Sequence, residues 1–223
     1  VVGKKEGVII AKKQMMERFD CDEIGNMDEY VGCKVERNYE ERSIKLTQPV
    51  MLQSFSDEFN LPEGPVPNTP ATPGDALVRA KPENCVSDAE QFKYRSGVGK
   101  LLHMMRWSRP EVLNAVRELS RYMSGASMAH VKAMHRTMKY CIGTSTRGLL
   151  LKPEGEWNGD PEYGFVITGR SDSDYAKDTD TRRSVSGTLT FLNGSPINTR
   201  SNTQKSVTLS VTEAELVAAT QCA

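Results

Sequence analysis

SDSDYAKDTDTRRSVSG (171–187) places Asp172, Asp174, Asp178 and Asp180 within nine positions and follows them at once with Arg182 and Arg183. Three readings compete: metal held for catalysis, a calcium loop, or a solvated turn. An EF-hand loop takes acidic or Asn residues at positions 1, 3 and 5, Gly at 6 and Glu at 12. Counted from Asp172, positions 5, 6 and 12 hold Ala176, Lys177 and Arg183, so the calcium loop fails. Asp178 and Asp180 lie beside Arg182 and Arg183, which suits local ion pairs in a solvated turn. Asp172 differs. It follows the apolar run YGFVITGR (163–170), read as a strand, and a carboxylate at a strand end is held on a rigid element.

Downstream, GTLTFL (187–192) alternates, with Leu189 and Phe191 on one face. Asn193-Gly194 is a hairpin turn signal, and SPINTR (195–200) reads as the return strand. Ser210-Val-Thr-Glu213 reads as a capping box opening a helix that carries Glu215, Leu216 and Val217. The expectation for 160–223 is a three-stranded antiparallel meander followed by a helix. Two-metal phosphodiester cleavage brings carboxylates from distant parts of a chain onto ions about 3.5–4 Å apart, and magnesium favours such oxygen ligands. Asp172 and Glu215 could supply two of them.

Upstream, residues 94–143 turn helical. Val98, Leu101, Leu102 and Met105 mark a short helix. Ser108 is expected to cap a second helix, with Pro110 and Glu111 in its first turn and Val112, Leu113, Val116, Leu119 and Met123 on its core face. A third, about 128–142, buries Val131, Met134, Met138, Cys141 and Ile142 and stops at Gly143. Before these helices, LPEGPVPNTPATPGD (61–75) reads as an extended connector. Earlier still come a helix at about 9–19, a hairpin of strands near 29–37 and 43–48, and a helix near 49–59 opened by Pro49.

The net charge of zero is uneven. Residues 94–152 hold 11 Lys/Arg against 2 Asp/Glu, while 1–93 have a net charge of −5 and 153–223 of −4. A basic middle between acidic flanks fits a polyanion contact or a plain solvated helical face. Its candidate cations are Arg106, Arg117, Arg121, Lys132, Arg136 and Lys139. The 38% apolar and 26% charged content fits a soluble globular chain, and neither a membrane span nor a signal peptide is read in it. Five cysteines without a CxxC pair fit a reduced, intracellular setting. His130 and His135, five apart, do not share a helix face as metal ligands do, which excludes a zinc site there. Trp107 is read as core rather than as a stacking platform.

The stretch SDSDYA, DTRRSVSG, FLNG, QKSVTLS and TEAEL, in that order, resembles the opening of the ribonuclease H domain of copia-type LTR retrotransposon Pol polyproteins. The family pattern there begins SDADWA. YRSGVGKL, SRPE, LSRYM, HVKAMHRTMKYCIGT and GL resemble the family's stretch between polymerase and ribonuclease H, and residues 1–60 resemble the end of the polymerase palm and thumb. The resemblance implies an α+β chain divided at 1–60 (palm and thumb end), 61–92 (linker), 93–152 (basic helical connection) and 153–223 (start of a ribonuclease H-like domain).

It further implies Asp172 and Glu215 as the first two carboxylates of a site for two Mg2+ or Mn2+ ions, with Asp174 as a further ligand. The implied partners are an RNA–DNA hybrid or template–primer duplex, gripped by the basic helices through its phosphates, and the remainder of the polyprotein; no membrane is implied. The implied location is intracellular, in cytoplasmic virus-like particles and the nucleus. Tyr175 stands where the family has Trp, and Asn198 where another Trp is expected. The paired polymerase aspartates are expected before Val1, and the later ribonuclease H acids after Glu215, so the isolated chain is expected to be inactive. The alternative expectation is a non-enzymatic nucleic-acid-binding remnant.

Overall fold

A computed structural model of the chain describes residues 4–22, 25–74, 77–155, 160, 164–178 and 181–222. In chain order its elements are α1 (Lys5–Arg18), β1 (Glu29–Tyr30), β2 (Cys33–Asn38), β3 (Ser43–Thr47), α2 (Pro49–Glu58), α3 (Asp88–Trp107), α4 (Leu113–Ser120), α5 (Met128–Gly143), β4 (Leu149–Leu151), β5 (Ile167–Asp174), β6 (Val185–Leu192), β7 (Ser195–Thr203) and α6 (Val211–Cys222). The mixture of helices and antiparallel sheets is the α+β class expected.

The apolar core is helical. Tyr94, Val98, Leu101 and Met104 recur at helical spacing on α3 and close on Val116 and Leu119 of α4, Met134, Met138 and Cys141 of α5, and Phe55 of α2. Each such side chain, fully buried, contributes about 1.5–3 kcal/mol of transfer free energy. The first helix of this block is longer than its periodicity announced. Ser87 and Glu90 form a capping box that starts α3 at Asp88, and the run continues for 20 residues to Trp107. The apolar pattern is interrupted by Gln91, which is buried because its amide donates to Met123 O (2.8 Å) and accepts from Ala126 N (2.7 Å).

Ser108 does not cap α4 as expected. It ends α3, and its hydroxyl donates to Gln48 Oε1 (2.7 Å), while Gln48 Nε2 bonds His103 Nδ1 (2.8 Å). The chain then passes through a 3-10 turn, Pro110–Val112, before α4. Trp107 is half-buried and meets Tyr30 edge-on, ring centroids 5.8 Å apart.

The Pro-rich connector has no helix or strand over 61–74, as expected, yet it is fastened along α5. Lys139 donates to Pro62 O (3.0 Å) and Gly64 O (3.2 Å), Arg136 to Thr69 Oγ1 (3.0 Å), and Thr137 to Pro70 O (3.1 Å). Gly143 permits the closest approach: a Cβ there would lie 2.1 Å from Val66 Cγ1.

Two sheets flank the helices. The first has order β1-β2-β3-β4 and is antiparallel throughout. Its last strand pairs Leu149 with Leu46 and Leu151 with Ile44, so 149–151 return to the sheet of the first sixty residues. The second is the expected meander, order β5-β6-β7, with α6 packed on one face. Asn193 and Gly194 both take positive φ (44° and 77°), which matches the twist a two-residue hairpin needs. Ser210 Oγ accepts from Glu213 N (3.1 Å) at the start of α6, one half of the expected capping box, while the Glu213 carboxylate accepts from Leu209 N (2.6 Å) and not from Ser210 N. Among the described residues no helix is long and apolar enough to cross a membrane.

Candidate functional site

β5 lies at the edge of its sheet, and its residues are exposed except for half-buried Ser173. The strand runs through Asp174, so Asp172 sits inside it rather than at its end. Its cross-strand neighbour is Gly187, which puts no side chain beside it. The Asp172 side chain has no hydrogen bond or ion pair among the described residues. Asp174 pairs with Lys177 (3.1 Å) in solvent.

Glu215 arrives from α6. Ala214 and Ala218 are fully buried on the sheet, small enough to let the helix lie close to it. Gln204 fixes that seat by donating to Ser186 Oγ (3.0 Å) and Ala214 O (2.9 Å). From there Glu215 reaches the β5 edge, where its Oε1 accepts from Ser173 N (3.1 Å) and Ser173 Oγ (2.8 Å).

Its carboxylate is thus brought to the residue next to Asp172. Strand residues alternate in face, so Ser173 turns toward α6 while Asp172 and Asp174 open on the other side. There they line a groove of about 780 Å3 with Arg170, Leu189 and Phe191 of the sheet and Leu113 of the helical block. Among the described residues, no three of His, Cys, Asp and Glu converge to hold a metal ion.

The other acids of the cluster divide. Asp180 lies outside the described residues. Asp178 is not the solvated carboxylate expected beside Arg182 and Arg183. It is 6% exposed, accepts from Thr181 N (2.8 Å) and pairs with Arg121 NH2 (2.5 Å) of the helical block. The reason is tertiary: the β5–β6 turn folds onto the end of α4, and a buried carboxylate needs a charged partner.

The six candidate cations are not equivalent. Arg121 holds Asp178 and Glu118. Arg117 donates to Ser201 Oγ (3.1 Å) and Thr203 Oγ1 (3.2 Å) of β7 and pairs with Glu118. Arg136 and Lys139 fasten the connector. Arg106 and Lys132 remain exposed, with no such bond among the described residues. Local charge counting could not foresee this, because each partner lies far away in sequence.

His130 caps the start of α5 from a buried position. It is buried, its Nδ1 accepts from Ser127 N (2.8 Å), and its ring stacks on Tyr122 (4.1 Å). Burial lowers its pKa, against the opposing effect of a backbone hydrogen bond with Val78. Two long-range contacts at the candidate site were missed by sequence reasoning, Arg121–Asp178 and Ser173–Glu215. Only the second left a local signal, a serine where the quoted family pattern has alanine.

No family model and no solved structure matches the chain. The retrovirus-related Pol polyprotein from transposon TNT 1-94 of Nicotiana tabacum is 29% identical over 228 aligned residues, covering 99% of this chain. That from transposon RE2 of Arabidopsis thaliana is 35% identical over 55% of the chain. The chain is a homologue of copia-type retrotransposon Pol polyproteins. It spans only 16% of the tobacco polyprotein and 8% of the Arabidopsis one. A secreted RxLR effector protein of Plasmopara viticola is 37% identical over 125 residues, which are 56% of this chain and 82% of that protein.

Proposed function

We propose that this chain is the part of a copia-type Pol polyprotein that joins the end of the reverse transcriptase to the start of a ribonuclease H, and that Asp172 and Glu215 begin the site that hydrolyses RNA in an RNA–DNA hybrid. The observation that carries the reading is the seat of Glu215 on the β5 edge, one residue from Asp172. Both groups are carboxylates, the hard oxygen donors that Mg2+ or Mn2+ prefers. Bound there, such ions would activate a water and stabilise the leaving oxygen.

The chain's own residues set the rest. The Asp172 side chain is exposed and unbonded among the described residues and lies on the face of β5 opposite Glu215, so a shared ion requires the edge strand itself to turn. Glu215 keeps Oε2 outside the Ser173 contact. Asp174, on the same face of β5 as Asp172, would serve as a further ligand. Arg106 and Lys132 are the cations left to meet the hybrid's phosphates.

The test is cleavage of a labelled hybrid in magnesium by the parent polyprotein and by this chain. The parent is expected to cleave and this chain, in which no three metal-binding side chains converge among the described residues, is not. Asp172→Asn and Glu215→Gln should each abolish the parent's activity; a parent unaffected by Asp172→Asn contradicts the reading. A non-catalytic reading has one observation in its favour: the matched segment makes up most of the short effector relative. On that reading this chain alone binds hybrid in a salt-sensitive way and Arg106→Ala with Lys132→Ala weakens it.

A further inference from the structure

β5 has β6 on one side, and its other edge meets no strand among the described residues. Backbone groups along an antiparallel strand turn alternately to its two sides. Val166 O accepts from Asn193 N on the β6 side (2.8 Å), while Ser173 N turns the other way, to Glu215 Oε1 (3.1 Å). The even-numbered residues therefore bond β6, and the N–H and C=O groups of Gly169 and Ser171 point outward. Such a row is a template for another strand, which sheets commonly blunt with Pro, Lys or a bulge on the edge. Ile167–Asp174 holds neither Pro nor Lys, and its 8 residues pair with β6 without a register shift.

The edge also complements itself. Arg170 and Asp172 are exposed on one face of β5, two positions apart. Arg170 lies over the Phe191 ring (5.5 Å), and neither charge is neutralised by an ion pair among the described residues. Antiparallel pairing of two copies about a two-fold axis through Ser171 sets Arg170 of each copy opposite Asp172 of the other. These are the non-hydrogen-bonded positions of the new ladder, where side chains stand closest. Ser171 exchanges both backbone bonds with its own copy. Gly169 N–H reaches Ser173 O, so Ser173 N–H stays with Glu215. On the α6 face Ile167, 67% exposed, comes beside Tyr175 of the second copy. An axis through Arg170 would oppose the two arginines, and one through Asp172 the two aspartates. Like charges directly opposite destabilise a sheet, so charge selects the Ser171 register.

We propose that β5 is a self-association surface: two copies of this chain pair antiparallel along it, through reciprocal Arg170–Asp172 contacts, into one continuous sheet. The proposal does not rest on the ion-binding reading. Pairing covers the edge at which Asp172 and Glu215 lie, so a dimer of this chain withholds that edge from any other ligand.

The experiment is sedimentation equilibrium of the whole chain in metal-free buffer over a range of concentrations. It compares the unmodified protein with Arg170→Asp, Asp172→Arg and the variant carrying both changes, each shown to be folded by far-UV circular dichroism. The unmodified chain should dimerise. Each single reversal replaces two attractive contacts with two repulsive ones and should weaken association about tenfold. The double exchange restores opposite charges and should return it to within about threefold. In the unmodified chain, amide exchange at Gly169 and Ser171 should slow as concentration rises, while exchange in α3 should not.

A chain monomeric at every concentration would overturn the proposal and leave the edge to a strand from elsewhere in the polyprotein. Dimers insensitive to both single reversals would place the contact on another surface and overturn it as well. Dimers weakened by each reversal but not recovered by the exchange would also overturn it, since the loss would then follow any change at these positions and not the pairing of opposite charges.

Discussion

The helical block and the meander lobe are built on opposite terms. In the block, the buried set is large and apolar: Tyr94, Leu101, Met104, Leu119, Met134 and Met138 are each at most 1% exposed. In the meander lobe, the buried apolar residues are Val185, Ala214 and Ala218, and they share the interior with Ser184, Ser186, Thr188, Gln204 and Thr208. The second interior therefore depends on hydrogen bonds, such as Ser184 Oγ with Thr208 Oγ1 at 2.9 Å, whose net contribution is about 1 kcal/mol each. Apolar burial holds the first region together, while the second carries the carboxylates and leaves its edge strand open. The apolar core and the candidate carboxylates lie in different regions of the chain.

The sharpest way to break this contrast is to truncate both interiors. Leu101→Ala should cost about 3–4 kcal/mol by loss of a fully buried side chain, whereas Val185→Ala should cost about 1 kcal/mol. Denaturant unfolding measures both, and equal costs would refute the division. Next in size is the bridge between the halves. Asp178→Ala leaves Arg121 without its cross-lobe carboxylate and should cost about 2 kcal/mol. In amide exchange the loss should appear in β5–β7 and α6 and spare α3 and α5.

The fastening of the connector supplies a smaller effect. Gly143→Ala forces a methyl group into Val66 and should cost about 1–2 kcal/mol. The sign of this perturbation is checked by protease susceptibility, which should rise in 61–74 and not in the meander.

A pH effect is expected to be smaller again. Burial lowers the pKa of both His130 and His135, and Lys93 adds to the effect at His135. Their unfolded value is about 6.5, so between it and the lower folded values the unfolded chain binds more protons. Their contribution is complete above about pH 6.5 and is lost as the pH falls below it. Melting temperatures at about pH 7.5, 6.5 and 5.5 should hold over the first interval and drop over the second. A profile that rises on acidification would contradict the burial of these rings in their neutral form.

The same contrast explains what the sequence disclosed. The meander lobe was legible because its signals are local: alternation in GTLTFL, Asn193-Gly194 at the turn, and Ser210 before α6. The helical block was legible in type but not in extent. Gln91 and the exposed Phe92 obscure the apolar stripe at the head of α3, and the Ser87–Glu90 box that starts the helix lies in a stretch with no periodicity to draw attention to it. β4 is three leucines long and acquires its identity only by pairing with residues a hundred positions earlier.

The candidate site divides in the same way. Glu215 could be placed on a helix start from its capping signal, but its bond to Ser173 spans 42 residues. The cationic face failed as a simple count because Arg117, Arg121, Arg136 and Lys139 are bound to partners that only the fold brings near.

The central claim is that Asp172 and Glu215 serve one ion across the open edge of β5. The most direct measurement is anomalous scattering from Mn2+ in crystals of the parent polyprotein's ribonuclease H region bound to an RNA–DNA hybrid. A peak ligated by an oxygen of Asp172 and an oxygen of Glu215 is the predicted result. Manganese bound elsewhere, with Asp172 still turned into the groove beside Phe191, would contradict it.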